Sequence, residues 1–296
     1  MIQITEDDVR RLLPMTKAIE LLSEAFEEWR AGQAQNHARR RLVLPTGAVL
    51  HSLAGACGRY FGTKVYSTHP KHGAWFHVLL YDAETARPLA FIEANWLGQI
   101  RTGAASGHAT ALLAKPEATV LGVIGTGFQA ASQVEAMRAV RPIGEVRVWS
   151  RSAEKRAAFA AEHGAIAVGT AEEAVRGADI VVTATSSKDP VLEAGWLAPD
   201  AHINAMGSNQ AAKRELPREA VERCALIAVD SIEQSKIESG DLVANGLDWA
   251  DPRLVEIKDV VGRPAPAGVT LFKSNGVGLE DVAVAAYVYE RLTAVV

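Results

Sequence analysis

The spacing of apolar residues along the chain changes three times. Ile19, Leu22, Ala25, Phe26 and Trp29 recur at helical intervals behind Thr16, which can cap them, and the first thirty residues read as helices. From about residue 40 the period shortens. RLVLP, AVLHSLAG, YFGTKVYST, AWFHVLLYD and PLAFIEA are short β-rich runs broken by Gly, Pro and Asp, and they predict an antiparallel or mixed sheet. TGAASGHATALLA then predicts a helix whose small residues permit close packing. From about residue 119 strands and helices alternate. The strand VLGVIG leads to a helix through QVEAMRAV, then EVRVWS to the helix AEKRAAFAAEH, and AIAV to TAEEAVRG, before the strands DIVVTAT, AHINAM and CALIAVD. Repeated β-α units of this length predict a parallel sheet with crossover helices. Residues 250–268, rich in Pro, Gly and Asp, read as loop, and GLEDVAVAAYVYERLTAVV reads as a closing amphipathic helix.

The fold class expected is α/β: a Rossmann-type doubly wound parallel sheet inserted into a discontinuous α+β substrate and dimerisation domain. The boundaries are residues 1–115 plus 275–296 for the outer domain and 116–274 for the dinucleotide domain. A chain of 296 residues can bury the two cores this requires.

With 48% hydrophobic and 22% charged residues and a net charge of −4, the composition is that of a soluble globular protein with no electrostatic footprint for nucleic acid. No apolar run has transmembrane length, and MIQITEDDVRRLL lacks a signal-peptide pattern. Cys57 and Cys224 lie far apart and match no metal or redox spacing, so a cytoplasmic protein without disulfides is expected. His69, His72 and His77 fit no standard ligand pattern, and no metal is expected.

Gly125-Thr126-Gly127-Phe128-Gln129-Ala130 has the G-x-G-x-x-A form of a dinucleotide fingerprint. Gly125 permits the tight turn, Gly127 lets a pyrophosphate approach the backbone, and Ala130 lets the next helix pack on the strand. The unpaired N–H groups of that helix then face the phosphates. The second strand of such a fold normally ends in a carboxylate that holds the ribose hydroxyls. Here it ends Val148-Trp149-Ser150-Arg151-Ser152. Arg151 can pair with a 2′-phosphate while Ser150 and Ser152 donate to it, so NADP(H) is preferred and NAD(H) possible. An arginine that only caps or covers the adenine is the alternative.

The stretch IRTGAASGHATALLAKPEATVLGVIGTGFQA resembles the ornithine cyclodeaminase/μ-crystallin family. LLPMTKAIELLSEAF, GTKVYSTHP, INAMGSN, AVDSIEQSKIESGDL and LFKSNGVGLEDVAVA resemble further segments of that family, in the same order and spacing. The resemblance implies a homodimer that exchanges hydride between a nicotinamide and the α-carbon of an amino or imino acid. By the same resemblance, Arg41 holds the substrate carboxylate, although Arg39 or Arg40 would serve equally by sequence. Lys64 lies mid-strand among apolar and small residues, where an unpaired ammonium is costly, so a substrate role or a structural salt bridge must account for it. Arg101 precedes a small-residue helix and in the family contacts substrate carboxylate or cofactor phosphate. An arginine at a helix start is disfavoured by the dipole, which adds to its case. Asp230, ending CALIAVD, corresponds to the family's acid/base, although Asp230-Ser231-Ile232-Glu233 also reads as a helix cap. Thr102, Thr185, Met206, Gly207, Ser208 and Val277 correspond to cofactor-side positions, the last within Asn275-Gly276-Val277. His51 stands where cyclodeaminases carry a glutamate tied to cyclising chemistry, and is either a proton donor or a structural histidine. Asn209 replaces an aspartate common in the family.

The function expected is NADPH-dependent reduction of a small cyclic imino acid, Δ1-pyrroline-2-carboxylate or Δ1-piperideine-2-carboxylate. The alternatives are an ornithine cyclodeaminase with tightly bound NAD, an alanine-type amino-acid dehydrogenase, and a non-catalytic NADP-binding protein.

Overall fold

The computed structural model describes residues 1–294, and the chain divides into two compact units, Met1–Ala105 with Gly276–Val296, and Ser106–Asn275. In the first unit β1 (Ile2–Ile4) leads into α1 (Glu6–Leu12) and α2 (Met15–Arg30). Thr16 does not cap α2. Proline disfavours helix in the residue before it, so the chain breaks at Leu13, Pro14 takes the extended cap position, and Thr16 falls inside the first turn. Strands β2 (Gln35–Val43), β3 (Val49–Cys57), β4 (Tyr60–His69), β5 (Gly73–Asp82) and β6 (Pro88–Glu93) follow. They form an antiparallel meander, and β1 adds parallel to β6 at its edge, so the sheet is mixed. Three residues are too few for β1 to show a period.

One sheet face is covered by α2 and by the closing helix, which is numbered α10 here (Gly278–Thr293). Leu53, Lys64, Val78 and Ile92 make one row of that face and Gly55, Gly62, Leu80 and Ala90 another. Helix and sheet approach backbone to backbone: a Cβ on Gly55 would lie 2.5 Å from the Leu279 nitrogen, and one on Gly278 would lie 2.7 Å from Ala54. The opposite face alternates with it and carries exposed Leu50, Phe61 and Trp75. The amphipathic reading of the closing stretch fails in its first half, because residues 278–286 are buried on every side. The last two residues of that stretch lie outside the described residues.

The second unit is built around an eight-stranded parallel sheet. The helix α3 (Asn95–Leu113) enters it. Its elements are β7 (Val120–Ile124), α4 (Phe128–Val140), β8 (Glu145–Trp149), α5 (Ala153–His163), β9 (Ile166–Ala167), α6 (Ala171–Val175), β10 (Ile180–Thr183), β11 (His202–Ala205), α7 (Arg218–Glu222), β12 (Cys224–Val229), α8 (Ile232–Glu238), α9 (Gly240–Val243), β13 (Leu254–Glu256) and β14 (Val269–Lys273). The strand order is β13-β12-β14-β11-β10-β7-β8-β9. Chain direction across the sheet reverses between β7 and β10, and ligands of such sheets bind outside the strand ends at that switch point. Two strands depart from the sequence reading. β13 lies within 250–268, which reads as loop, and β14 sits between β11 and β12 with all five residues buried. A strand buried on both faces loses the alternation that would reveal it. No helix among the described residues is long and apolar enough to cross a membrane.

Candidate active site

In the second unit β7 runs out at Ile124 and the chain turns at Gly125, whose φ is +118°. A side chain there would be strained, and its Cβ would stand 2.3 Å from the Ala184 carbonyl oxygen. Gly127 takes the cap position of α4, and nothing lies within 4 Å of where its Cβ would be. One glycine is therefore required by the fold, and the other leaves open space at the helix N-terminus. That space opens into a cavity of about 750 Å3. Residues 125–129 form one wall, Ser150, Arg151 and Ser152 the second, and Thr185, Met206 and Gly207 the third. Ala130 is fully buried beneath the turn.

The end of β8 carries no carboxylate. Ser150 accepts from the Thr126 hydroxyl at 3.1 Å, and the Ser152 hydroxyl caps α5 by accepting the Lys155 N–H. Arg151 is exposed, and Lys155 also lines the cavity, a second cation one turn into α5 that the strand-end motif does not reveal. Three further residues expected on the cofactor side have partners of their own. The Ser208 hydroxyl donates to the carbonyls of Gln210 and Lys213. Thr102 and Val277 belong to the first unit, where the Thr102 hydroxyl donates to the Gly98 carbonyl and Val277 caps α10.

Asp230 follows the last residue of β12 and is fully buried. Its Oδ1 accepts the Ser231 N–H, and its Oδ2 accepts the Asn275 N–H at 2.6 Å and the Ser274 hydroxyl at 3.4 Å. The helix cap is Ser231, whose hydroxyl accepts the Gln234 N–H, so the capping role does not fall to Asp230. These three groups are donors, and they anchor the carboxylate at the strand end.

The cations of the first unit gather on the covered sheet face. Lys64 is 3% exposed and its Nζ donates to Asp281 Oδ1 at 2.9 Å. Burial pushes its pKa down to about 8 despite the attraction of Asp281, and the neighbouring Arg101 and Arg39 act in the same direction as burial. Arg101 donates through Nε to Asp281 and through Nη1 to Glu280 at 2.8 Å. Burial opposes its charge, but these two carboxylates outweigh it and hold its pKa above the ordinary value. Arg101 lies nearly two turns inside α3, which begins at Asn95, so the unfavourable helix-start dipole does not act on it. A Cβ on Gly276 would stand 2.5 Å from its guanidinium.

Arg41 pairs in register with His51, and the Arg39 guanidinium donates to the Gly276 carbonyl from a buried position. Arg40 is exposed and Arg41 half-buried. His51 stacks on Tyr66 at 4.1 Å, and its Nε2 lies 3.0 Å from the Thr68 hydroxyl. Burial, then Arg41 and Arg39, push its pKa down to about 4, so the ring is uncharged at neutral pH. The sequence reading misses Glu280 and Asp281. Their place in the first turn of an apparently amphipathic helix reads as a solvated face, yet both are buried. His69 and His72 sit 4.5 Å apart ring to ring, and no group of metal-ligating side chains is found among the described residues.

Comparison with known proteins gives this geometry a context. The family model for the ornithine cyclodeaminase/mu-crystallin family matches residues 1–295. The chain is 35% identical to an alanine dehydrogenase of Archaeoglobus fulgidus, covering 97% of this chain and 94% of that one. It is 34% identical to a Δ1-pyrroline-2-carboxylate reductase of Bacillus cereus, covering 98% and 96%. Among solved structures it resembles the Thermococcus litoralis Δ1-pyrroline-2-carboxylate reductase in complex with NADH and L-proline, with TM-score 0.93 and 29% identity over 99% of this chain and 98% of that one. A dinucleotide crevice at the switch point, a buried cation cluster and a match along nearly the whole length lead to one conclusion: the chain belongs to the ornithine cyclodeaminase/mu-crystallin family.

Proposed function

We propose that this protein is an NADPH-dependent reductase of a small cyclic imino acid, Δ1-pyrroline-2-carboxylate or its six-membered homologue. NAD(P)-dependent oxidoreductases that act at C=N or CH–NH bonds are the relatives that frame this reading. The carrying observation is the cavity wall after β8, where Arg151 and Lys155 stand without a carboxylate. Two cations beside serine hydroxyls suit a 2′-phosphate, whereas a ribose diol calls for an acidic acceptor. A bound nicotinamide supplies the hydride. Arg41, Lys64 and Arg101 are assigned to the substrate carboxylate, because fixed cations orient it so that one carbon faces the coenzyme. Asp230, directly or through water, is assigned to supply the proton that the substrate nitrogen takes up as hydride reaches the carbon, and its backbone donors anchor it at the strand end. His51 serves as an uncharged hydrogen-bonding group. Its presence in place of the glutamate of cyclising enzymes favours a reductase over a cyclodeaminase.

A homodimer completes the proposal. The open sheet face presents Leu50, Phe61 and Trp75, an apolar surface of the kind that pairs with a second copy. Cys57 and Cys224 are both free, which fits a reducing, cytoplasmic setting.

A substrate panel read by NADPH absorbance tests the reading. Oxidation with pyrroline- or piperideine-2-carboxylate, and much less with pyruvate plus ammonia, supports it. Proline formed from ornithine without net coenzyme turnover assigns the chain to the cyclodeaminases instead.

A further inference from the structure

The coenzyme cavity is lined by loops, and something must hold them at a fixed spacing. We infer that Glu215, which does not line the cavity, is the positioning residue for two of its walls, an inference that rests on the coenzyme reading above. The residue is fully buried. Its Oε1 accepts the Thr185 N–H at 2.7 Å, and its Oε2 accepts the Gly207 N–H at 2.8 Å and the Thr183 hydroxyl at 2.9 Å. Its own carbonyl accepts the N–H of Val191, another lining residue, at 2.8 Å. One side chain thus ties the loop after β10 to the loop after β11. The two loops are in such close contact that a Cβ on Gly207 would stand 2.4 Å from the Thr185 backbone.

Glu215 is itself held from behind. Asp241 Oδ1 accepts its N–H and that of Leu216, and Asp241 Oδ2 lies 3.3 Å from Lys273 Nζ. Lys273 is fully buried at the end of β14 and donates to the carbonyls of Ala205 and Ser208, which flank the β11 loop, and to that of Ser274, whose hydroxyl reaches Asp230. Three buried charged residues are excessive for stability alone, since well-packed apolar side chains often do as well. Their bonds converge on the backbone N–H groups that shape the crevice. The carboxylate is suited to this because both oxygens must accept. A glutamine turned either way sets its NH2 against a backbone N–H.

Coenzyme titration of the purified full chain, by NADPH fluorescence, tests the assignment. For Glu215→Gln the dissociation constant is expected to rise about tenfold, with kcat at saturating coenzyme falling less than threefold. Leu254→Ala, a cavity-forming change in β13, lowers thermal stability without touching these loops and should leave the dissociation constant within twofold. If Glu215→Gln does not fold, Thr183→Val removes only the hydroxyl donor and should raise the constant about threefold. An unmoved constant in the Glu215 variant, or in Thr183→Val where that replaces it, overturns the inference. So does an equal rise in Leu254→Ala. Wild-type protein that binds no coenzyme overturns the coenzyme reading together with it.

Discussion

Lys64→Met tests why a charge is kept beneath the sheet of the first unit. Burial brings the Lys64 pKa from 10.5 to about 8, net of the attraction from Asp281 and the repulsion from Arg101 and Arg39. At about 1.36 kcal/mol per unit, carrying the ammonium into the fold at pH 7 costs about 3 kcal/mol. Methionine has similar length and no charge, and it leaves Asp281 its bond to Arg101 at 3.0 Å. The variant is therefore expected to be about 1–3 kcal/mol more stable than wild type at pH 7, because the cost of the ammonium goes with it while Asp281 keeps Arg101 as its partner. The pH dependence has a definite sign. Between about 8 and 10.5 the unfolded wild type binds a proton at Lys64 that the native protein has released, so wild-type stability climbs through that window and the gap to Lys64→Met closes. If Lys64 holds the substrate carboxylate as proposed, loss of that charge-assisted bond, about 1.5–3 kcal/mol, lowers kcat/KM by about 10- to 100-fold or more. Urea unfolding of both proteins, followed by tryptophan fluorescence at several pH values, reads the first two effects. A variant less stable than wild type at pH 7, or a stability difference that ignores pH, refutes the reasoning.

Replacing both Arg151 and Lys155 by alanine should raise the KM for NADPH about tenfold or more and leave that for NADH within twofold, measured by initial rates. Gly125→Ala places a Cβ 2.3 Å from the Ala184 oxygen at a positive φ, and should weaken coenzyme binding at least tenfold with a lower thermal midpoint, read by titration and calorimetry. Trp75→Lys sets a charge on the open sheet face, 53% exposed in the single chain, and should shift sedimentation from dimer toward monomer.

Much of this architecture is legible in the sequence because burial on one side leaves a period. The half-covered strands β3 to β6 alternate, and the crossover helices of the parallel sheet show their faces, so both sheets can be read from the sequence. β14 escapes because Val269 to Lys273 are buried on both faces, with Thr270 inside the apolar run and a lysine at its end. Residues 278–286 of α10 misled for the related reason that Glu280 and Asp281 mimic a solvated stripe while pairing with Arg101 and Lys64 inside. The glycine turn and the acid-free end of β8 were readable as local chemistry. Lys155 and Glu215 were not, since each gains its meaning from partners elsewhere in the chain: the cavity for Lys155, and Thr185 with Gly207 for Glu215.

In the reductase proposed above, hydride passes from the nicotinamide of NADPH to the imine carbon of a bound cyclic acid. NADPH deuterated on the transferring face of its nicotinamide, incubated with the protein and Δ1-pyrroline-2-carboxylate, should give proline carrying one deuterium at C2 by mass spectrometry. Proline without label, or no proline while NADPH stays intact, contradicts the account.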